Sequence, residues 1–290
     1  MAMSGPRAET TRVDGAELFY EVRGAGPMLL LIPGGNGDGT VYRALTNLLS
    51  DRFTIVNYDR RGFSRSKLDG PPDDTRRLEI DSYDACLLIE KLSDGPAYVF
   101  GSSSGAIVAL DLLTRYPQQI RRLVAHEPPL ATLLPDAKEQ LAILDDVYDT
   151  FRASGAEVAM RKFVAAQGIG AGPTPQPGAS LDPRMKEMMA MQRKNREFWF
   201  EHELRQYTRA ALDLTALRAA KDQLVLVGGH DSREYFPYRP NTVLAEILHL
   251  QVIDFPGGHV GYATRAPEFA EQLASVLLRS SSAAVGLVQT

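Results

Sequence analysis

The sequence predicts an α/β protein, a mostly parallel central sheet flanked by helices and interrupted by a helical cap insertion. Three observations predict it. Short β-branched runs alternate with helical runs over the first 130 residues and again from residue 222. Several strand runs are continuously apolar, as strands covered on both faces are. Between these regions the rhythm changes to long helical patterns punctuated by proline.

The elements follow in order. "ELFYEVRG" (17–24) and "MLLLIPG" (28–34) read as strands joined by the turn "GAGP". "TVYRALTNLLS" (40–50) is helical, "FTIVNYD" (53–59) a strand and "DSYDACLLIEKL" (81–92) a helix. "AYVFGS" (97–102), "GAIVALDLLTRYP" (105–117) and "RRLVAHE" (121–127) repeat the strand–helix–strand rhythm of a parallel sheet. From Pro128 the pattern is helical, with Pro129 and Pro135 as punctuation. "GIGAGPTPQPGASLDP" (168–183) is a Gly/Pro-rich loop, and 184–212 reads as one long helical stretch. The alternation resumes with "DQLVLVGG" (222–229), "PNTVLAEILHL" (240–250), "LQVIDFPGG" (250–258) and "APEFAEQLASVLL" (266–278). The expected organisation is a core of residues 1–127 and 216–290 with a helical cap at 128–215.

Composition excludes several classes. The 290 residues are 44% apolar, enough for a large core. Net charge is −4 with the charges interspersed, so nucleic acid is not an expected partner. The single Cys86 forms no intramolecular disulfide, and its apolar helical position marks a packed thiol. No apolar run reaches the ~18 residues of a membrane span. "MAMSGPRAETT" lacks the apolar core of a signal peptide, so the expected location is cytoplasmic.

The chemistry is written in "VFGSSSGAI". A strand that turns sharply into a helix forces its apex residue into strained backbone angles, and its flanks must lack bulk. Gly-x-Ser-x-Gly with strand before and helix after is the nucleophile elbow. Gly101, Ser103 and Gly105 fit that spacing, with Ser102 and Ser104 flanking the apex. A plain βα turn that binds an anion at the helix N-terminus is the simpler alternative. A serine hydroxyl needs a base. Of five histidines, only His259 lies in a glycine-bounded loop after the last strand, "VIDFPGGHVGY". His249 reads as a helix-end or core residue, His126 and His230 as structural groups at strand ends, and His202 as a cap or surface residue. Two acids end neighbouring strands: Glu127 in "RRLVAHE" and Asp231 in "LVLVGGHDS".

These residues resemble the α/β-hydrolase fold family over nearly the whole chain. The resemblance makes "LLLIPGGNGDG" (29–39) the oxyanion loop, with Pro33-Gly34 in place of the usual His-Gly. It implies that the Gly35 and Ser104 amides stabilise the oxyanion. "NYDRRGFSRS" (57–66) resembles the family's D-x-R-G-x-G-x-S segment, with Ser64 where glycine is usual. "GSSSGAIVALDLLTRYPQQIRRLVAHEPP" is similar to zearalenone-lactonase-like hydrolases, which run from a Ser-Ser-Gly elbow to His-Glu at a strand end. That likeness favours Glu127 as the triad acid, with Asp231 as the alternative. "NREFW" resembles their cap segment with a substrate-facing tryptophan, here Trp199. Asn36, Phe198, His202, Pro129 and Val260 complete the substrate-binding candidates. Met185, Met188, Met189, Phe198, Trp199 and Phe200 form either the cap's own core or pocket lining.

The implied function is hydrolysis of an ester or lactone of a mostly apolar small molecule by Ser103, His259 and Glu127, without metal or organic cofactor. C–C bond hydrolysis, lyase or cofactor-free haloperoxidase-like chemistry are alternatives on the same triad. A small-molecule receptor that keeps the fold is the alternative from another class.

Overall fold

Residues 5–168 and 182–279 are described by the computed structural model. The Gly/Pro-rich stretch expected as a loop at 168–183 lies almost wholly outside them. The strands are β1 (Arg7–Val13), β2 (Ala16–Arg23), β3 (Met28–Ile32), β4 (Thr54–Tyr58), β5 (Lys67–Leu68), β6 (Ala97–Ser102), β7 (Ile120–His126), β8 (Leu224–Gly229) and β9 (Val252–Phe255). They form one sheet in the order β1-β2-β4-β3-β6-β7-β8-β9, with β5 paired to β2. The pairs from β4 to β9 are parallel, whereas β2 is antiparallel to β1, β4 and β5.

Strands β3 and β6 are buried at every position, which is why they read as unbroken apolar runs. β1 went unrecognised for the opposite reason. Its sequence RAETTRV is polar and charged and its outward face is exposed, as suits an edge strand.

Helices α1 (Arg43–Leu49) and α11 (Ala266–Leu278) cover one face of the sheet. α2 (Arg77–Leu92), α3 (Ser104–Arg115) and α9 (Arg239–Leu248) pack on the other. In α3, Ser104 through Leu113 are buried, so the helix runs through the core instead of over it. Cys86 on α2 is a buried thiol pushed up to about 12 by burial and the nearby Glu90 carboxylate.

Between β7 and β8 the chain forms α4 (Ala137–Ser154), α5 (Ala156–Gln167), α6 (Pro183–His202), α7 (Leu204–Thr208) and α8 (Leu214–Ala219). The short α10 (Gly261–Thr264) precedes α11. The stretch expected as one helix over 184–212 therefore breaks at Glu203. That residue is fully buried and its carboxylate is held by Arg60 and Arg77 of the core. A third hydrophobic cluster joins Leu144, Val147, Trp199, Phe200 and Leu204 of these helices to Phe63 and Phe236 of the core. Among the described residues, Met185, Met188 and Met189 stand outside the cap's hydrophobic cluster and do not line the two cavities at Ser103. They are exposed on the first half of α6.

Candidate active site

In a parallel sheet the strand C-termini share one edge, and five of them deliver the candidate residues there. β3 leads to Pro33–Asn36, β6 to Ser103, β7 to Glu127, β8 to Asp231 and β9 to His259. This is the edge at which open α/β sheets bind ligands.

Ser103 has φ 57° and ψ −128°, a conformation costly for any residue with a Cβ. Its backbone is fixed on both sides: its N–H donates to the His126 carbonyl (2.9 Å), and its carbonyl accepts from Ala106 N–H (2.8 Å). The flanking glycines are required by close backbone approach. A Cβ on Gly101 would run into the Gly105 carbonyl, and one on Gly105 into the Ile32 carbonyl. The three serines are thereby separated. Ser102 and Ser104 are buried, while Ser103 is half-buried and opens onto a cavity. Ser102 Oγ is engaged with His126 Nδ1 at 2.8 Å.

His259 Nδ1 lies 2.6 Å from Glu127 Oε2. Glu127 is fully buried and itself strained, at φ 50°. Its other oxygen accepts from Gly229 N–H (2.7 Å) and from the Ser232 hydroxyl. Burial alone would push this carboxyl up. The His259 hydrogen bond, the charges of His126 and His259 and the Ser232 hydrogen bond outweigh it and hold the group down at about 2. Asp231 is exposed in the loop after β8, and its backbone N–H donates to the Gly257 carbonyl. Of the two acids, Glu127 is the one on the His259 ring.

Behind His259 the fully buried His126 ring stacks at 6.2 Å between centroids. Burial lowers its pKa to about 4, so the imidazole is neutral at pH 7. His230 and His249 are exposed, His249 as the left-handed C-cap of α9.

The loop after β3 is held from beneath by Arg60, a fully buried side chain. Its Nε donates to the Pro33 carbonyl (3.0 Å) and its Nη2 to the Gly34 carbonyl (2.9 Å). The same guanidinium is bidentate to Glu203, both contacts at 2.7 Å, and reaches Asp81 at 2.9 Å. One arginine thus ties the loop carrying Gly35 to the cap. This link has no sequence signature beyond the likeness of residues 57–66, because Glu203 lies 143 positions away.

Ser64 is the other departure whose reason is now visible. Its φ is 46°, the left-handed region where glycine is ordinary. Three contacts offset the strain. Its N–H donates to Asn195 Oδ1 (2.9 Å), its hydroxyl donates to Asp38 Oδ2 (2.7 Å), and the hydroxyl accepts from Asn195 Nδ2 (2.8 Å).

Two cavities meet at Ser103 and His259. The larger, about 640 Å³, is bounded by Gly35, Asn36, Phe163, Trp199 and Val260 among others. The smaller, about 20 Å³, runs under the cap past Ser104, Pro129, Gln167 and Leu204. Trp199 and Phe163 line both. A Cβ on Gly35 would strike Trp199 Nε1, so glycine there lets the indole close on the loop. Asn36 and Val260 line the larger cavity, Pro129 the smaller and Trp199 both. Phe198 and His202 line neither, and for these two the expectation is corrected. Adjacent residues on a helix point about 100° apart, so Phe198 faces away from Trp199. It packs edge-on against Phe63 and over Gly62, and His202 is hydrogen-bonded to Asp74 at 2.9 Å.

Comparison with known proteins agrees with this fold. A family model described as "alpha/beta hydrolase fold" covers residues 27–266. An uncharacterized hydrolase of Bacillus subtilis (strain 168), YraK, is 35% identical over 275 residues, 92% of this chain and 95% of that protein. A zearalenone hydrolase of Cladophialophora bantiana is 32% identical over 135 residues, 45% of this chain and 50% of that one. Among solved structures, the enol-lactonase from Burkholderia xenovorans LB400 has a TM-score of 0.64 at 17% identity, covering 93% of this chain and 100% of its own. At that identity the likeness is one of fold.

Proposed function

This chain belongs to the alpha/beta hydrolase fold family and is a hydrolase, and within that family we propose a serine hydrolase cleaving an ester or lactone of a mostly apolar small molecule. Ser103 is the nucleophile, His259 the base and Glu127 the acid. One observation carries the reading. The strained Ser103 shares its cavities with His259, whose Nδ1 is held at 2.6 Å by a buried carboxylate. The partial likeness to zearalenone hydrolases supports it.

Chemistry follows from the tautomer. Nδ1–H donates to Glu127, which leaves Nε2 as the nitrogen with the lone pair. Ser103 Oγ attacks the carbonyl carbon while Nε2 takes its proton. The Gly35 and Ser104 amides receive the oxyanion; Ser104 opens α3, where backbone N–H groups have no intrahelical partner. Collapse expels the alkoxide, which takes the proton from His259. Water, deprotonated by His259, then attacks the acyl-enzyme; the bond to Ser103 breaks, His259 returns the proton to Ser103 Oγ, and the acid leaves. Glu127 remains ionised throughout and stabilises the imidazolium.

The test is labelling with a fluorophosphonate probe, read by intact mass and peptide mapping. Stoichiometric modification of Ser103, lost in Ser103→Ala and kept in Ser102→Ala, is the expected result. Absence of labelling on folded protein would sink the activated serine and turn attention to the receptor reading.

A further inference from the structure

Gln167 ends α5 on the wall of the narrow pocket that Ser103 and His259 also line. Its side chain is 1% exposed, and among the described residues neither Nε2 nor Oε1 has a hydrogen-bond partner. Buried amides are almost always paired, and a fully orphaned one marks a place where something else completes it. The surrounding wall is mostly apolar, with Leu144, Phe163, Leu204 and Phe236. Glu203, the carboxylate on that wall, already gives both oxygens to Arg60 and one of them to Arg77 as well.

The amide is held in place from outside the cap. Gly168, the next residue, has φ 65°, and the Tyr235 ring lies where its Cβ would be. Tyr235 follows β8, so the end of α5 is pinned to the core beside Phe236.

The geometry points to Gln167 as a specificity residue whose amide takes a neutral hydroxyl group of the substrate. A hydroxyl donates to Oε1 and accepts from Nε2, the two atoms left unpaired. The pocket holds about 20 Å³, room for one water-sized group. The substrate's apolar body then occupies the 640 Å³ cavity, with its reacting carbonyl at Ser103 and its hydroxyl past Trp199. A carboxylate or ammonium would enter without a free counter-ion. This inference rests on the serine-hydrolase reading.

The experiment separates the two. Equilibrium binding of p-nitrophenyl 6-hydroxyhexanoate and p-nitrophenyl hexanoate is measured on Ser103→Ala, alone and combined with Gln167→Leu or Gln167→Met. Binding needs no turnover. The hydroxy ester is expected to lose about tenfold in affinity relative to the plain ester when Gln167 is replaced. An unchanged ratio in both variants overturns the inference, as does failure of either ester to bind the parent. A ratio that falls while wild type hydrolyses neither ester keeps the Gln167 assignment and counts against the proposed serine ester hydrolase. The apolar replacements are also expected to raise Tm, since each removes an unpaired buried amide.

Discussion

Glu127 and His259, 132 positions apart in the chain, meet at 2.6 Å through a carboxylate whose other oxygen is already committed to Gly229 and Ser232. Every neighbour of that carboxylate is a donor. An amide at this position can satisfy both sides only if the imidazole changes tautomer.

Glu127→Gln is therefore expected to lower kcat by about 10²–10⁴. With its oxygen toward Gly229 and Ser232, the amide turns its NH₂ to His259 Nδ1 and reverses the tautomer, so Nε2 carries the proton. Asp231→Asn leaves that geometry intact, and its rate stays within a few-fold of wild type. Steady-state kinetics on an activated ester measure both. Comparable losses in the two variants would reject the assignment.

Acid stability carries the signature of His126. Its folded pKa is about 4 against an ordinary 6.5, lowered by burial. The unfolded chain thus binds more protons in this range. Stability is fully present above pH 6.5 and falls as pH drops toward 4, by at most about 1.4 kcal/mol per pH unit. Below that, Glu127, held at about 2, adds a further loss as pH falls from its unfolded range near 4.5. Denaturant unfolding from pH 7 to 4 should show a shallower slope in His126→Gln than in wild type. Equal slopes would contradict it.

Arg60 and Glu203 tie the cap to the loop after β3. Glu203→Gln leaves a buried guanidinium short of its counter-charge, and is expected to cost about 3–5 kcal/mol. Because Arg60 also holds the Pro33 and Gly34 carbonyls, kcat should fall with it. Tm and kcat measured together decide the point: a destabilised variant with unchanged kcat would show that the loop does not depend on this tie.

Ser64 separates strain from hydrogen bonding. Ser64→Ala keeps the left-handed φ and loses the hydroxyl contacts to Asp38 and Asn195, for an expected loss of about 1–3 kcal/mol. Ser64→Gly loses the same contacts but adopts φ 46° freely, so it should be the more stable variant by about 1 kcal/mol. Chemical denaturation of the pair tests the order. Glycine no better than alanine would mean that the backbone there is unstrained.

Some of this was legible from the chain because its cause is local. Gly101, Ser103 and Gly105 announce the turn in five residues, since the Gly101 Cβ would strike the Gly105 carbonyl within the turn itself, although Gly105 is demanded by the distant Ile32 carbonyl. The apolar runs of β3 and β6 announce a sheet covered on both faces. β1 did not announce itself, because an edge strand satisfies its outward face with water and carries charged residues.

By itself, then, the sequence determined the fold class, the elbow serine and the short list of bases and acids, all consequences of side-chain period and backbone sterics over a few residues. Only the tertiary structure decided that His259 turns to Glu127 and not Asp231, that Trp199 faces the cavity while Phe198 faces Phe63, and that Gln167 is left unpaired in a closed pocket. Those outcomes depend on which distant groups the sheet edge and the cap bring within hydrogen-bond reach, and no spacing along the chain encodes a partner 132 residues away.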